Sequence, residues 1–131
     1  VFPILGGHDR SHLIDPVDVE EMHNLISRCY LVMTDSGGLQ EEAPALGKPV
    51  LVMRRETERP EAIAAGTAKL AGVEKDAIVQ MANALLDDPA AYAQMAKAVN
   101  PYGDGHASER IVQAILWHFG RSAERPEDFQ A

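Results

Sequence analysis

The stretch Pro49-Val50-Leu51-Val52-Met53 constrains this chain more than any other. It is too short for a helix and has no polar residue in alternation, so it reads as a strand buried on both faces, the central position of a parallel sheet. A parallel sheet needs crossover connections, usually helical, and helices covering both faces. A second apolar run, Tyr30-Leu31-Val32-Met33, precedes it and closes on Thr34-Asp35-Ser36-Gly37-Gly38. Between the two runs, Gly38 to Leu46 offers helix formers, and Gly47 supplies the stop. Pro44 is compatible with that helix because it falls within the first two turns.

The same alternation extends in both directions. Val1 to Leu5 reads as the end of a helix, stopped by Gly6-Gly7, and His12-Leu13-Ile14 as a short strand closed by Asp15-Pro16. Asp18 caps a helix whose apolar positions Val19, Met22, Leu25, Ile26 and Cys29 follow a 3.6-residue period. Downstream, Pro60 opens a helix through Ala65, Gly66 ends it, and Ala68 to Ala71 forms a fourth strand. Helices follow at Asp76–Leu86, at Ala90–Ala98 behind the Asp87-Asp88-Pro89 break, and at Ala107–Phe119 after the turn cluster Asn100–Gly105. Gly120 to Ala131 is polar and without periodicity, and is expected to be disordered. The fold class is α/β, a Rossmann-like parallel sheet flanked by helices.

In such sheets ligands bind beyond the carboxyl ends of the strands. Two unusual loops fall there: Asp35–Gly38, and the highly charged Arg54-Arg55-Glu56-Thr57-Glu58-Arg59. Ser36, Gly37 and Gly38 stand between a strand and a helix amino end, where free backbone N–H groups collect and the glycines remove obstructing Cβ atoms. A phosphate would fit. Glu42 lies more than one helical turn beyond, where one carboxylate can accept from both hydroxyls of a ribose diol. Glu41 points about 100° away and need not share that role. Taken alone, the pattern fits equally a helix capped by Asp35 or Ser36 with acids complementing its dipole. The agreement of two loops at one sheet edge favours a ligand site.

With 12 Lys+Arg against 20 Asp+Glu, the net charge of −8 argues against nucleic acid or an anionic membrane as partner. One cysteine, Cys29, leaves no internal disulfide and suits a reducing cytoplasm. The histidines His8, His12, His23, His106 and His118 show no metal-ligand spacing, so no metal and no cofactor is assigned. No apolar run is long enough to span a bilayer and no signal-peptide pattern opens the chain; its start on Val1 suggests a fragment.

Four segments, Thr34 to Pro44, Gly47 to Val52, Thr57 to Glu61 and Asn100 to Gly105, closely resemble the non-hydrolysing UDP-N-acetylglucosamine 2-epimerases, in the family's order from residue 1 to about 119. The resemblance implies two Rossmann-like domains of the glycosyltransferase-B type with substrate between them. Residues 1–119 would be the carboxy-terminal, UDP-binding domain and 120–131 its tail. It implies that Ser36, Gly37 and Gly38 hold phosphate, that Glu42 holds the ribose hydroxyls and that Arg59 contacts the nucleotide-sugar. Val17 and Met22 would lie near the uracil, with Met22 standing where the family often has an aromatic residue. The family reaction eliminates UDP to a 2-acetamidoglucal and re-adds it, interconverting UDP-GlcNAc and UDP-ManNAc. The histidine and acids assigned to that chemistry have no counterpart here, so no catalytic residue is expected in this chain. The implied partners are a UDP-sugar, the missing amino-terminal domain and, for the parent enzyme, a second copy in a homodimer. The implied setting is cytoplasmic, feeding cell-wall polysaccharide biosynthesis.

Two other functions fit a nucleotide site of this kind: the donor-binding domain of a glycosyltransferase, or a free-standing nucleotide-binding module. The Thr57–Glu61 and Asn100–Gly105 segments argue against the first. Glu56, Glu58 and Glu61 are expected to be a solvated charged loop, Cys29 a core residue, and Trp117 a packing residue of the last helix.

Overall fold

A computed structural model describes residues 2–129. Ten elements follow in chain order: α1 Phe2–Leu5, α2 Val19–Arg28, β1 Val32–Thr34, α3 Gly37–Ala45, β2 Val50–Val52, α4 Pro60–Ala65, β3 Ala68–Leu70, α5 Lys75–Asp87, α6 Pro89–Ala96 and α7 Ala107–His118. The strands form one parallel sheet in the order β1-β2-β3, with Val32 opposite Val50 and Val50 opposite Ala68. The central strand is the one whose sequence is continuously apolar, and Val50, Leu51 and Val52 are fully buried.

Strand alternation divides the core between the two faces of the sheet. Val50 and Val52 pack with Ile26 of α2, Ala43 of α3, Ala62 of α4 and Ala68 of β3. Leu51 points the other way, to Ala71, Leu85 of α5 and Met95 of α6. The sheet is therefore covered on both sides, as a doubly wound arrangement requires.

The helix ends follow from their residues. Asp18 accepts the Glu21 N–H at 2.9 Å and caps α2, while Asp88 accepts the N–H groups of Ala90 and Ala91 and caps α6. Helix α4 ends on Gly66 at φ +81°, with Gly66 N–H donating to Ile63 O and Thr67 N–H to Ala62 O. Those paired bonds require a left-handed residue, which glycine adopts without a Cβ penalty. Helix α3 closes the same way on Gly47, and Pro44 is housed in its last turn, because the helix begins at Gly37 and stops at Ala45.

Three expectations are corrected. Residues 12–14 form no strand: the run is only three residues long, Pro16 follows it, and Ile14 is exposed, so the described sheet has three strands instead of four. Tyr30 and Leu31 stand outside β1. Tyr30 stacks on Tyr92 of α6 with ring centroids 4.2 Å apart and donates its hydroxyl to Leu85 O, while Tyr92 donates to Tyr30 O. Its aromatic ring thus braces the helical layer and not the ladder. Trp117 is about half exposed on α7, a helix without a buried residue among those described.

The Asn100–Gly105 turn leads into α7. There Asp104 receives both Nη1 and Nη2 of Arg110, at 2.8 and 2.6 Å, and also the His106 N–H. Residues 120–129 form neither helix nor strand. Gln113 of α7 donates to Ser122 Oγ and Glu124 O, and Arg110 lies over the Phe129 ring.

Candidate functional site at the head of helix α3

Strand β1 ends on Thr34, and two residues later the chain turns into α3. The turn therefore lies at the carboxyl end of the strand, the side where open α/β sheets bind ligands. Thr34 is buried, and its Oγ1 accepts the Ser36 N–H at 3.0 Å, which sets the turn. Ser36 occupies the N-cap position in extended conformation but makes no side-chain cap bond. Its exposed hydroxyl is thus not spent on the helix. The helix itself begins on Gly37 and Gly38, so the unpaired N–H groups of its first turn face outward with no Cβ over them.

Glu42 reaches the same place from one turn further on. A Cβ added at Gly38 would stand 3.4 Å from Glu42 Oε1 and 3.9 Å from Ser36 Oγ, so these three groups converge. The other carboxylate oxygen of Glu42 bonds His23 Nε2 of α2 at 3.1 Å. His23 is a site neighbour that the sequence reading left on the flank of α2; its position relative to Glu42 depends on how α2 and α3 pack, which no local pattern encodes.

The charged loop after β2 is fastened to α3 by a buried amide. Gln40 is fully buried; its Nε2 donates to Ser36 O at 3.2 Å, and its Oε1 accepts from Thr57 Oγ1 at 2.5 Å. Thr57 Oγ1 in turn accepts the Arg59 N–H. Arg59 pairs through Nε with Glu41, an interaction that raises the already high pKa of the guanidinium. Glu41 therefore contributes where the sequence reading gave it no role, by holding Arg59. Arg54 donates to Glu58 Oε2 at 2.6 Å, and Glu58 Oε1 lies against Gly37. The loop is an ion-paired lid edge, more ordered than the solvated loop expected.

Tyr102 of the Asn100–Gly105 turn packs against the core, and burial raises its pKa; Glu61, Glu41 and Arg59 are its charged neighbours. Its hydroxyl is enclosed without a hydrogen-bond partner in the structure. Cys29 packs against the same core cluster, and its thiol is also pushed up by burial.

The structure thus brings Ser36, Gly37, Gly38 and Glu42 together and places Arg59 beside them through Glu41. Val17 and Met22 are apart from that turn: Met22 packs against the core cluster with Ile26 and Cys29, and Val17 lines a groove with Ile14, Glu21, Asn24, Leu25 and Arg28. Among the described residues, no cluster of three or more His, Cys, Asp or Glu has a geometry for a metal ion, and no helix is long and apolar enough to cross a membrane.

Comparison with known proteins adds to this geometry. The model of a family described as UDP-N-acetylglucosamine 2-epimerase matches residues 1–116. A UDP-N-acetylglucosamine 2-epimerase of Bacillus subtilis is 54% identical over 124 residues, which cover 95% of this chain and 33% of the relative. The S. aureus MnaA structure with UDP superposes with a TM-score of 0.90 at 52% identity, over 98% of this chain and 35% of that one. The UDP-GlcNAc 2-epimerase of Neisseria meningitidis bound to UDP-GlcNAc gives 0.82 at 46% identity, over 88% and 32%. The chain spans about a third of the length of the curated relatives it matches.

Proposed function

This chain belongs to the UDP-N-acetylglucosamine 2-epimerase family, and from that premise we propose that it is the nucleotide-binding part of a longer enzyme interconverting UDP-GlcNAc and UDP-ManNAc. The observation that carries the proposal is the convergence of an uncommitted Ser36 hydroxyl, the Gly37–Gly38 backbone and the Glu42 carboxylate at one helix amino end. In this reading the first-turn N–H groups and Ser36 hold the diphosphate, where the helix dipole favours negative charge. Glu42 accepts from the ribose diol, and Arg59, oriented by Glu41, faces the phosphate or the sugar. Val17 and Met22 flank the base from α2 and the segment before it.

The reaction removes a proton from the sugar C2 while UDP leaves C1, then returns UDP to C1 and a proton to the other face of C2. It is redox-neutral and requires no cofactor as written. The step needs a base within hydrogen-bond reach of C2, which we assign to the remainder of the enzyme together with the closing of the cleft. A nucleotide-sugar substrate is consistent with a cytoplasmic setting.

Calorimetric titration with UDP tests the site. Glu42→Gln keeps the shape and removes the charge, and should weaken binding by about 1–2 kcal/mol, the scale of a charged hydrogen bond. Equal UDP affinity for the two chains would refute the ribose role.

A further inference from the structure

The amino end of α3 already holds an anion supplied by the chain itself. Glu58 Oε1 sits so close to Gly37 that a Cβ there would stand only 2.5 Å from it. The loop brings the carboxylate to that point because its neighbours on both sides are fixed. Thr57 is tied to buried Gln40, and Arg59 to Glu41. Glu58's own backbone N–H holds its carboxyl below the usual range, and the nearby guanidinium of Arg54 adds to this against a desolvation cost. The side chain itself is about half exposed and is held from outside by Arg54 alone.

Two anions cannot share one set of first-turn N–H groups, since like charges at contact distance repel. We propose that Glu58 is a built-in competitor that occupies the phosphate seat over Gly37 in the ligand-free chain, and that Arg54, released when a diphosphate displaces Glu58, becomes a further phosphate ligand. The proposal rests on reading the Ser36–Gly38 turn as the phosphate site. Its chemistry follows from the parts: Glu58 can swing out on its own side-chain torsions without moving the clamped loop. The arginine freed by that swing already lies beside the seat. A singly charged, weakly held anion would leave Glu58 in place, whereas a diphosphate brings more charge than the carboxylate it replaces. The seat is thereby biased toward diphosphates.

The test uses the 131-residue chain with UDP, inorganic pyrophosphate and uridine as probes, followed by calorimetry and by the amide NMR signals of Gly37 and Gly38. Glu58→Gln should bind UDP and pyrophosphate about tenfold more tightly, a difference that calorimetry resolves readily, and uridine with unchanged affinity. Adding Arg54→Gln to that variant should remove the gain for both phosphate probes and leave uridine unaffected. In the unaltered chain, pyrophosphate should shift the Glu58 side-chain carboxyl carbon signal as the carboxylate leaves its seat. If UDP shifts the Gly37 and Gly38 amides but Glu58→Gln binds it equally or more weakly, the competitor role is overturned and the phosphate site stands. If UDP leaves those amides unmoved in both chains, the site reading fails and the competitor role fails with it.

Discussion

Replacing Gln40 by Leu isolates the clamp between α3 and the charged loop. The substitution keeps an apolar side chain of similar reach in a fully buried position, so lost packing is a small part of its effect. What it removes is two hydrogen bonds, Gln40 Nε2 to Ser36 O and Thr57 Oγ1 to Gln40 Oε1. Each is worth roughly 1 kcal/mol net, and the part-buried Thr57 hydroxyl, still accepting from Arg59 N–H, loses the acceptor for its own proton. The sum is about 2 kcal/mol, which for a chain of this size lowers Tm by roughly 6–10 °C. The companion variant Thr57→Val removes the same hydroxyl from the other side. In a double-mutant cycle followed by urea denaturation, the two changes should be non-additive by at least about 0.5 kcal/mol, as for residues in one network. Strict additivity, or a Gln40→Leu chain as stable as the original, would show that the clamp does not hold the loop and would undercut the placement of Glu58 and Arg59.

Gly66→Ala forces an alanine to φ +81° in a place with open space around its Cβ, so the cost is backbone strain alone. Urea denaturation should show a loss of about 1–2 kcal/mol; an unchanged midpoint would mean the α4 terminus relaxes. The Asp104 carboxyl is held well below its ordinary value, first by the Arg110 guanidinium and then by the His106 N–H. A carboxyl with a lowered folded pKa contributes stability that is complete above its unfolded value near 3.8 and is lost as pH falls toward the folded one. Asp104→Asn should therefore have a lower Tm at neutral pH, with the gap narrowing in acid below about 3.8; a gap independent of pH would refute the pair's role.

The sequence displayed the sheet through its driest segment. Val50-Leu51-Val52 cannot be satisfied by any half-exposed strand, and from that one fact the parallel order, the helical crossovers and the ligand edge follow. Caps were equally legible, because Asp18, Asp88, Gly47 and Gly66 act on backbone groups within a few residues of themselves. What escaped the reading depends on distance in space. Gln40 resembles any helical glutamine until burial shows that its amide bridges Ser36 and Thr57. Glu41 and Arg59 are 18 apart in sequence and meet only because α3 and the loop after β2 adjoin at one edge. Tyr30 has the profile of a strand residue, yet its hydroxyl finds Leu85 O, 55 positions away, and a tertiary hydrogen bond overrides a propensity worth a fraction of a kcal/mol.

The last prediction concerns what these residues do alone. The proposed phosphate, ribose and arginine groups all stand on one open edge of one sheet, and Ser36 and Gly38 are exposed there. A ligand on that edge is covered on one side only. The nearby carboxylates of Glu41, Glu42 and Glu58 oppose the diphosphate, so UDP should bind this chain no better than about millimolar, roughly −4 kcal/mol. Epimerisation makes two further demands: a base at the sugar C2, and exclusion of water from the glycal formed when UDP leaves. A cleft closed by a second body meets both, and an open edge meets neither. The glutamates nearest the turn are also engaged, Glu42 by His23, Glu41 by Arg59 and Glu58 by Arg54. Incubating the purified chain with UDP-N-acetylglucosamine and following the C2 epimer by NMR should give no product above background. Epimer formed by the chain alone would place the base within these 131 residues, most directly among those three carboxylates, and would refute the division of labour proposed for the enzyme.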